Sequence, residues 1–322
     1  MQVAYDAHKW LTMYYSYLLM YTKEGEKAHA YLKERGISDE TIKTFQLGYA
    51  SKDSSIMMTV LKNKGFTEED ILNRKIISVS QRGNYFDPFY DRIIFPINDF
   101  DSRVSGFGGR SMDKNNKIKY LNSPETRIFK KQDNLYGFHQ AKEFVKEDGY
   151  LVLFEGYFDV LQSHQNGLKN CVACLGTALT PEQALLIKSI TKNVVIVLDN
   201  DAAGINASFR SASVLEEVGV NALVGTLQSG LDPDEWFKKY QDKERFVNEV
   251  IKTAINRKDF LINQKVNSID INNSNERFSI LNELLSNLPS DINERNYWLE
   301  LANEKLNVPT DIILNVIHER GA

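Results

Sequence analysis

Acidic side chains follow three predicted β-strands in the second half of this 322-residue chain, each at the point where a strand ends. In a parallel sheet the carboxyl ends of the strands share one edge, and ligands bind there. Six carboxylates at one edge would repel one another strongly without cations, and hard oxygen ligands of this kind suit Mg²⁺ or Mn²⁺, not Zn²⁺. The sequence therefore predicts a metal site. Its candidate ligands are Glu155, Asp159, Asp199, Asp201, Asp232 and Asp234.

A purely structural role for these acids competes with the metal site. Asp and Glu are favoured where a strand turns into a helix, because their side chains cap the helix N-terminus. This explanation accounts for any one of the carboxylates taken alone. Three acidic groups on three strand ends are much harder to explain by capping, and the pattern favours a metal site.

The elements that must position these acids alternate regularly along the chain. Short apolar runs at 150–154, 171–175, 194–198 and 222–227 predict strands. Helical patterns lie between them: at 157–166, from Thr180-Pro181 onward, and at 203–217. Strands that alternate with helices of this length indicate βαβ units and a parallel sheet.

The regions before and after these elements have different residue patterns. Residues 1–75 are predicted to be helical, and 76–131 contain short β-like runs divided by Gly, Asn and Asp. From 235 onward the pattern is helical again, with apolar residues at bundle-like spacing: Ile280, Leu281, Leu284, Leu285 and Leu288. We therefore predict an α/β fold with a central parallel sheet, preceded by a mixed α+β subdomain and followed by a helical bundle. The expected boundaries are 1–147, 148–234 and 235–322.

Basic residues are concentrated just before the acidic region. The formal net charge of −4 at first argues against a nucleic-acid partner. However, residues 102–131 contain eight Lys or Arg and two acids, a local charge of +6. The glycines of Gly106-Phe107-Gly108-Gly109-Arg110 would let the backbone approach phosphate, although Ser111 and the lack of a following helix exclude a dinucleotide-binding fingerprint. Metal ions beside phosphate-binding Arg and Lys form the apparatus of phosphoryl transfer.

The number of cysteines and the length of the apolar runs indicate the cellular compartment of the protein. Two cysteines in 322 residues favour a reducing environment, and the apolar run at 10–21 is shorter than the roughly 17 residues that a membrane span needs. We therefore expect a cytoplasmic protein without a membrane partner. Cys171 and Cys174 are three apart on a predicted strand and would point to opposite faces, so we expect buried cysteines and no zinc in this chain.

Several sequence blocks resemble a known family. Glu155-Gly156-Tyr157-Phe158-Asp159, with the Asp199 and Asp232 turns, resembles a Toprim domain. The blocks at 31–36, 92–97, 106–110 and 119–126 (Lys-Tyr-Leu-Asn-Ser-Pro-Glu-Thr) resemble, in order, those of DnaG-type bacterial primases, and 135–137 and Leu175-Gly176-Thr177 fit as well. The resemblance covers roughly residues 27–240. Asn200 stands where Gly is usual and Phe158 where Met or another apolar residue is common; neither change removes a carboxylate.

This resemblance implies a primase RNA polymerase core that makes short RNA primers for replication. It implies two or more Mg²⁺ or Mn²⁺ ions, with Glu155, Asp199 and Asp201 catalytic, and Asp159 and Asp234 either ligands or supports of ligands. Whether Glu155 acts as a base stays open. The implied contacts to nucleotide or nucleic-acid backbone are Arg92, Arg110, Lys119, Asn122 and Lys131.

The resemblance also implies binding partners for the protein and two domains that we expect this chain to lack. The partners are a single-stranded DNA template, an RNA primer and NTPs at the replication fork. A full-length member of the family has a zinc-binding module and a domain that contacts the replicative helicase, and we expect both to be absent from this chain.

Two other functions stay open. The first is a Toprim-type nuclease or other strand-cleaving enzyme. The second is a non-catalytic nucleic-acid-binding module, although such a module has little need for six acids that repel an anionic ligand.

Overall fold

The computed structural model describes residues 1–53, 55–73, 75–79, 83, 85–176, 178–227, 230–286 and 292–320. Thr177 and Leu288, which belong to patterns described above, lie outside these residues. The chain packs as two compact units, Met1–Thr253 and Ala254–Ala322. The boundary expected at 147/148 lies inside the first unit, and the one expected at 234/235 falls within the helix Pro233–Tyr240, which stays with that unit.

The first unit begins with helices that pack on a small antiparallel sheet. The helices are α1 (Gln2–Tyr21), α2 (Glu26–Glu34), α3 (Asp39–Thr44), α4 (Ser55–Asn63) and α5 (Glu68–Asn73). The strands are β1 (Gly48–Ala50), β2 (Ser78–Val79), β3 (Tyr85–Phe86), β4 (Arg92–Asn98), β5 (Val104–Ser111) and β6 (Tyr120–Asn122). Four of these strands form the sheet in the order β1-β4-β5-β6, and β2 and β3 pair with each other in a separate two-stranded sheet. Leu11 and Tyr15 of α1 share a core with Ile94 and Phe107 of this sheet, so one face of α1 is buried.

The parallel sheet follows in the same unit. Its elements are α6 (Phe138–Asp148), β7 (Leu151–Phe154), α7 (Tyr157–Gln165), β8 (Cys171–Ala173), α8 (Pro181–Lys188), β9 (Asn193–Ile196), α9 (Ala202–Glu217), β10 (Asn221–Val224) and α10 (Pro233–Tyr240). The strands lie in the order β10-β9-β7-β8, and each neighbouring pair is parallel. This confirms the predicted fold class. Three predicted strands ran two or three residues too far, because Leu175, Val197 and Leu227 stay buried after the strand has ended.

The remaining elements are helical. α11 (Lys243–Phe246) and a π-helical turn (Val247–Ile251) close the first unit. The second unit contains β11 (Ile255–Asn256), α12 (Arg257–Asn267), α13 (Ser274–Ser286), α14 (Ile292–Leu306) and α15 (Thr310–Arg320). Its helices share one apolar core that includes Ile262, Leu281 and Leu301, in agreement with the predicted helical bundle. Among the described residues, no helix is both long and apolar enough to cross a membrane.

Gly108 permits close packing of β5 on the first turn of α7. A Cβ at this position would lie 2.2 Å from the Tyr157 hydroxyl and 2.5 Å from its ring. The ring cannot simply move away, because it stacks on Phe95 at 4.6 Å and its hydroxyl bonds Asn122 at 2.6 Å. We expect Gly108→Ala to lower the free energy of unfolding by about 1–3 kcal/mol, as overpacking does. Denaturant unfolding measures this, and an unchanged midpoint would contradict the packing described.

Candidate functional site

The turn after β7 begins the acidic group. Glu155 follows the strand and is exposed, and Asp159 lies in the first turn of α7 with only 8% of its surface exposed. One oxygen of Asp159 accepts a hydrogen bond from the Gly156 amide (2.8 Å), and the other accepts one from the Asp234 amide (3.2 Å). Asp159 therefore ties the turn after β7 to the start of α10.

The other two acidic turns are fixed by helix caps. Asp201 caps α9 by accepting from the Gly204 amide at 2.7 Å, and Asp232 caps α10 by accepting from the Glu235 amide at 2.7 Å. Each cap engages one carboxylate oxygen, Oδ1, so capping and a further role are compatible in the same residue. Gly204 is also required by the turn, since a Cβ there would lie 1.9 Å from the Asp199 carbonyl oxygen.

The carboxyl groups of Glu155, Asp159 and Asp199 have raised pKa values. Burial raises the pKa of Asp199, and the charges of Asp232 and Asp201 raise it further. Burial also raises the pKa of Glu155, with Asp199 and Asp201 adding to the effect. The pKa of Asp159 is raised well above its usual value, chiefly by burial. Acids that follow different strands raise the pKa of one another, so they lie near one another. This is the arrangement that the sequence predicts for residues at one edge of the sheet.

A divalent cation fits this donor set. The carboxylates are hard oxygen ligands, their mutual repulsion favours a cation, and the Asp234 Oδ1 atom is buried without a hydrogen-bond partner. Among the described residues, no three Asp, Glu, His or Cys side chains already form a compact metal cage. The described acids are therefore not arranged as a ready-made cage, and their fit to a cation rests on the chemistry of the donors.

A pocket of about 380 Å³ connects the acids to basic residues. Five of the six predicted acids line it, and Asp201 does not. Opposite charges come from three basic side chains, Arg35, Arg110 and Lys119. We call the five acids the acidic wall of this pocket and the three basic residues its basic wall. The combination suits a metal-bound phosphate.

Two of the predicted phosphate contacts lie on the basic wall. Lys119 is exposed and forms no ion pair with a described residue. Arg110 is 7% exposed, and its Nη1 donates to the Tyr120 hydroxyl at 2.6 Å. Asn122 also lines the pocket, but it accepts from the Tyr157 hydroxyl (2.6 Å) and donates to the Leu175 carbonyl (3.0 Å), so it braces the wall.

Arg92 has a different environment from the one predicted. Its guanidinium donates to the backbone carbonyls of Ile118 (2.9 Å) and Lys119 (3.2 Å), and only 6% of the residue is exposed. Arg92 thus holds the segment that carries Lys119, and its contact with phosphate stays a prediction. Lys131 begins a 3₁₀ turn outside the pocket lining, and its contact stays a prediction.

Sequence reasoning missed Arg35. This residue ends α2 and forms an ion pair with Asp234, which lies 199 positions later in the chain. Arg35 belongs to a block that resembles the primase family, so that match could have identified it. Nothing in its local spacing indicates a partner on α10.

The raised pKa values predict how stability depends on pH. A carboxyl whose pKa is higher in the folded than in the unfolded chain binds more protons when folded, so the free energy of unfolding falls as pH rises between the two values. When a chelator removes divalent cations, we expect the free energy of unfolding to fall above about pH 4. We expect Mg²⁺ to oppose this decrease, because it favours the ionised acids. Thermal unfolding at pH 5–8.5, with Mg²⁺ or with chelator, measures both curves.

Asp87 serves as an internal control for that measurement. It lies outside the pocket, and burial raises its pKa to about 6. Its ionisation also lowers the free energy of unfolding as pH rises, but this effect should not depend on Mg²⁺. The difference between the two curves therefore reports the acids of the pocket alone. Equal curves with and without Mg²⁺ would contradict a cation site among these acids.

Two protein-family models match the chain. A model described as the DNA primase catalytic core, N-terminal domain, matches residues 14–142, and one described as Toprim-like matches 152–237. Toprim and primase proteins generally use divalent metal ions. The DNA primase of Halalkalibacterium halodurans is 35% identical over 308 residues, which cover 93% of this chain and 50% of that protein. The chain thus spans about half the length of the curated relatives it matches.

Solved structures agree with these matches. The Escherichia coli primase catalytic core has a TM-score of 0.76 and 32% identity, over 95% of this chain and 98% of that one. A DnaG primase catalytic domain bound to single-stranded DNA has a TM-score of 0.76 and 30% identity, over 95% and 96%. Fold, sequence blocks and pocket therefore point to one family.

Proposed function

This chain belongs to the family of DnaG-type primase catalytic cores, and from that membership we propose that it synthesises short RNA primers on a DNA template. The observation that carries the proposal is the pocket with an acidic wall from three strand ends and a basic wall of Arg35, Arg110 and Lys119. The similar DnaG catalytic domain solved with single-stranded DNA supports a DNA template as the partner.

The reaction is nucleotidyl transfer. The 3′-hydroxyl of the primer gives up its proton to solvent or to a general base, and its oxygen attacks the α-phosphorus of a ribonucleoside triphosphate. The bond between the α-phosphorus and the oxygen that bridges to the β-phosphate breaks, and pyrophosphate leaves with that oxygen. Mg²⁺ or Mn²⁺ ions, when bound, would stabilise the attacking and leaving oxygens. The protein's own contribution is to hold primer, nucleotide and acids in one geometry.

We assign the acidic wall to cation binding, together with Asp201, which follows Asp199 by two residues but does not line the pocket. Glu155, Asp199, Asp201 and Asp232 each have at least one carboxylate oxygen that makes no hydrogen bond with a described residue. Asp159 uses both oxygens on backbone amides, so we place it as a support that fixes the wall. Asp234 has one oxygen paired with Arg35 and one buried without a partner.

We assign the basic wall to the triphosphate. Arg110 and Lys119 form no ion pair with a described residue, so their charges are available to phosphate oxygens. The exposed Lys114 and Lys117 lie on the segment that leads to Lys119 and suit the nucleic-acid backbone. Such contacts release counterions, so we expect affinity for the template to fall steeply with salt.

Primer synthesis tests the proposal. The chain is incubated with single-stranded DNA, labelled ribonucleoside triphosphates and Mn²⁺, and the products are separated by length. We expect short labelled RNA that requires both template and metal. A parallel incubation with supercoiled plasmid and Mg²⁺ should leave the plasmid intact. Nicked plasmid without RNA would contradict the proposal and favour a Toprim-type nuclease.

A further inference from the structure

Phe158 contacts both arginines of the pocket. Its ring is 3% exposed, in the first turn of α7. The guanidinium carbon of Arg35 lies 4.5 Å from the ring centroid, and that of Arg110 lies 4.8 Å from it. A cation over an aromatic face is attracted by the ring quadrupole, and this attraction grows when the pair is shielded from water. One ring therefore helps to hold two cations.

The two arginines differ in what balances their charge. Arg35 is paired with Asp234. Arg110 is surrounded by aromatic rings instead, with Tyr31 and Tyr120 at 5.4 and 5.3 Å in addition to Phe158. Its Nε is buried without a hydrogen-bond partner, and among the described residues Arg110 forms no ion pair or hydrogen bond with a carboxylate. The rings attract Arg110 without neutralising it, so its charge remains available to an anion in the pocket.

Two guanidinium groups beside one ring repel each other unless something holds them. Asp234 offsets the charge of Arg35, and the ring attracts both groups. An anion with several charged oxygens could then bridge them, because guanidinium groups bind phosphate through paired N–H donors. The triphosphate of a nucleotide has this chemistry.

We propose that Phe158 is a positioning residue that holds Arg35 and Arg110 together as a clamp for the triphosphate of the incoming nucleotide. This inference rests on the proposed function, since it concerns the basic wall of the same pocket. Phe158 does not take part in the chemical step.

Replacement of the ring tests the inference. Phe158→Leu and Phe158→Met keep an apolar side chain and remove the quadrupole, and 3,4,5-trifluorophenylalanine at 158 keeps the ring and weakens the quadrupole. Two readouts are needed: KM and kcat for NTP in primer synthesis, and the affinity for inorganic triphosphate with Mg²⁺ by calorimetry. The matched control is Phe100→Leu, because Phe100 is 53% exposed and carries the Lys142 ammonium at 4.1 Å outside the pocket.

We expect Phe158→Leu and Phe158→Met to raise both KM and the Kd for triphosphate about tenfold, with kcat changed less than about twofold. The fluorinated ring should have an intermediate effect, and Phe100→Leu should have none. Unchanged triphosphate affinity in the fluorinated protein and in Phe158→Leu would overturn the inference, as would a fall in kcat at constant KM. The fluorinated protein also keeps the test valid if the other two variants fail to fold.

The same readouts separate this inference from the proposed function. If the protein binds triphosphate in a Phe158-dependent manner but makes no RNA, the proposed function fails and the clamp stands. If primers are made and triphosphate affinity does not depend on Phe158, the clamp fails and the function stands. A wild-type protein that binds no triphosphate would overturn the clamp outright.

Discussion

Asp199→Asn should lower the rate of primer synthesis at least about 100-fold while the protein stays folded. Asp199 is at the centre of the acidic wall, since its charge raises the pKa of both Glu155 and Asp159. Asparagine has nearly the same shape but no charge, so it would bind a divalent cation much more weakly. Steady-state synthesis of labelled RNA at saturating NTP measures the effect.

Stability provides the control for Asp199→Asn. Burial and neighbouring acids oppose ionisation of Asp199, so the variant should be at least as stable as wild type in chelator at neutral pH. It should also gain less stability from added Mg²⁺. Normal synthesis by a folded variant would remove Asp199 from the catalytic centre.

Asp232→Asn is expected to have the second-largest effect, a loss of about 10- to 100-fold in synthesis. Asp232 lines the pocket and caps α10 through its Oδ1. Asparagine is as good a cap as aspartate, so the helix should keep its start and only the charge should be lost. Comparison of synthesis rates at several Mg²⁺ concentrations measures the change, and higher Mg²⁺ should partly restore the rate.

Asp242→Asn is the matched control for that variant. Asp242 caps α11 by accepting from the Arg245 amide at 2.9 Å, and it lies outside the pocket. The same substitution therefore removes a capping charge without touching the site. Equal losses from Asp232→Asn and Asp242→Asn would mean that Asp232 acts through helix stability and not through the pocket.

The strand-end acids were predictable because their signal is local. Each acidic turn follows an apolar run, and βαβ order places the ends of such runs at one edge of a sheet. The capping alternative is confirmed for Asp201 and Asp232, which cap helices, and the metal site at these residues stays a prediction. In these residues the two explanations use different oxygens of one carboxylate, so the sequence could not decide between them.

The basic wall was less predictable because its contacts are long-range. Arg92 and Arg110 both lie on strands of the antiparallel sheet, yet one binds backbone carbonyls and the other lines the pocket. Arg35 meets Asp234 only through the packing of α10 on the first unit's helices. Composition and spacing carry no signal for such pairings, and only the block resemblance included Arg35.

A crystal structure with Mn²⁺ and a non-hydrolysable NTP would test the central claim most directly, because anomalous scattering locates the metal. We predict Mn²⁺ within about 2.2 Å of carboxylate oxygens from Glu155, Asp199, Asp201 or Asp232. We predict the triphosphate between that metal and the guanidinium groups of Arg35 and Arg110. Mn²⁺ bound away from these acids, or a triphosphate bound outside the pocket, would contradict the account.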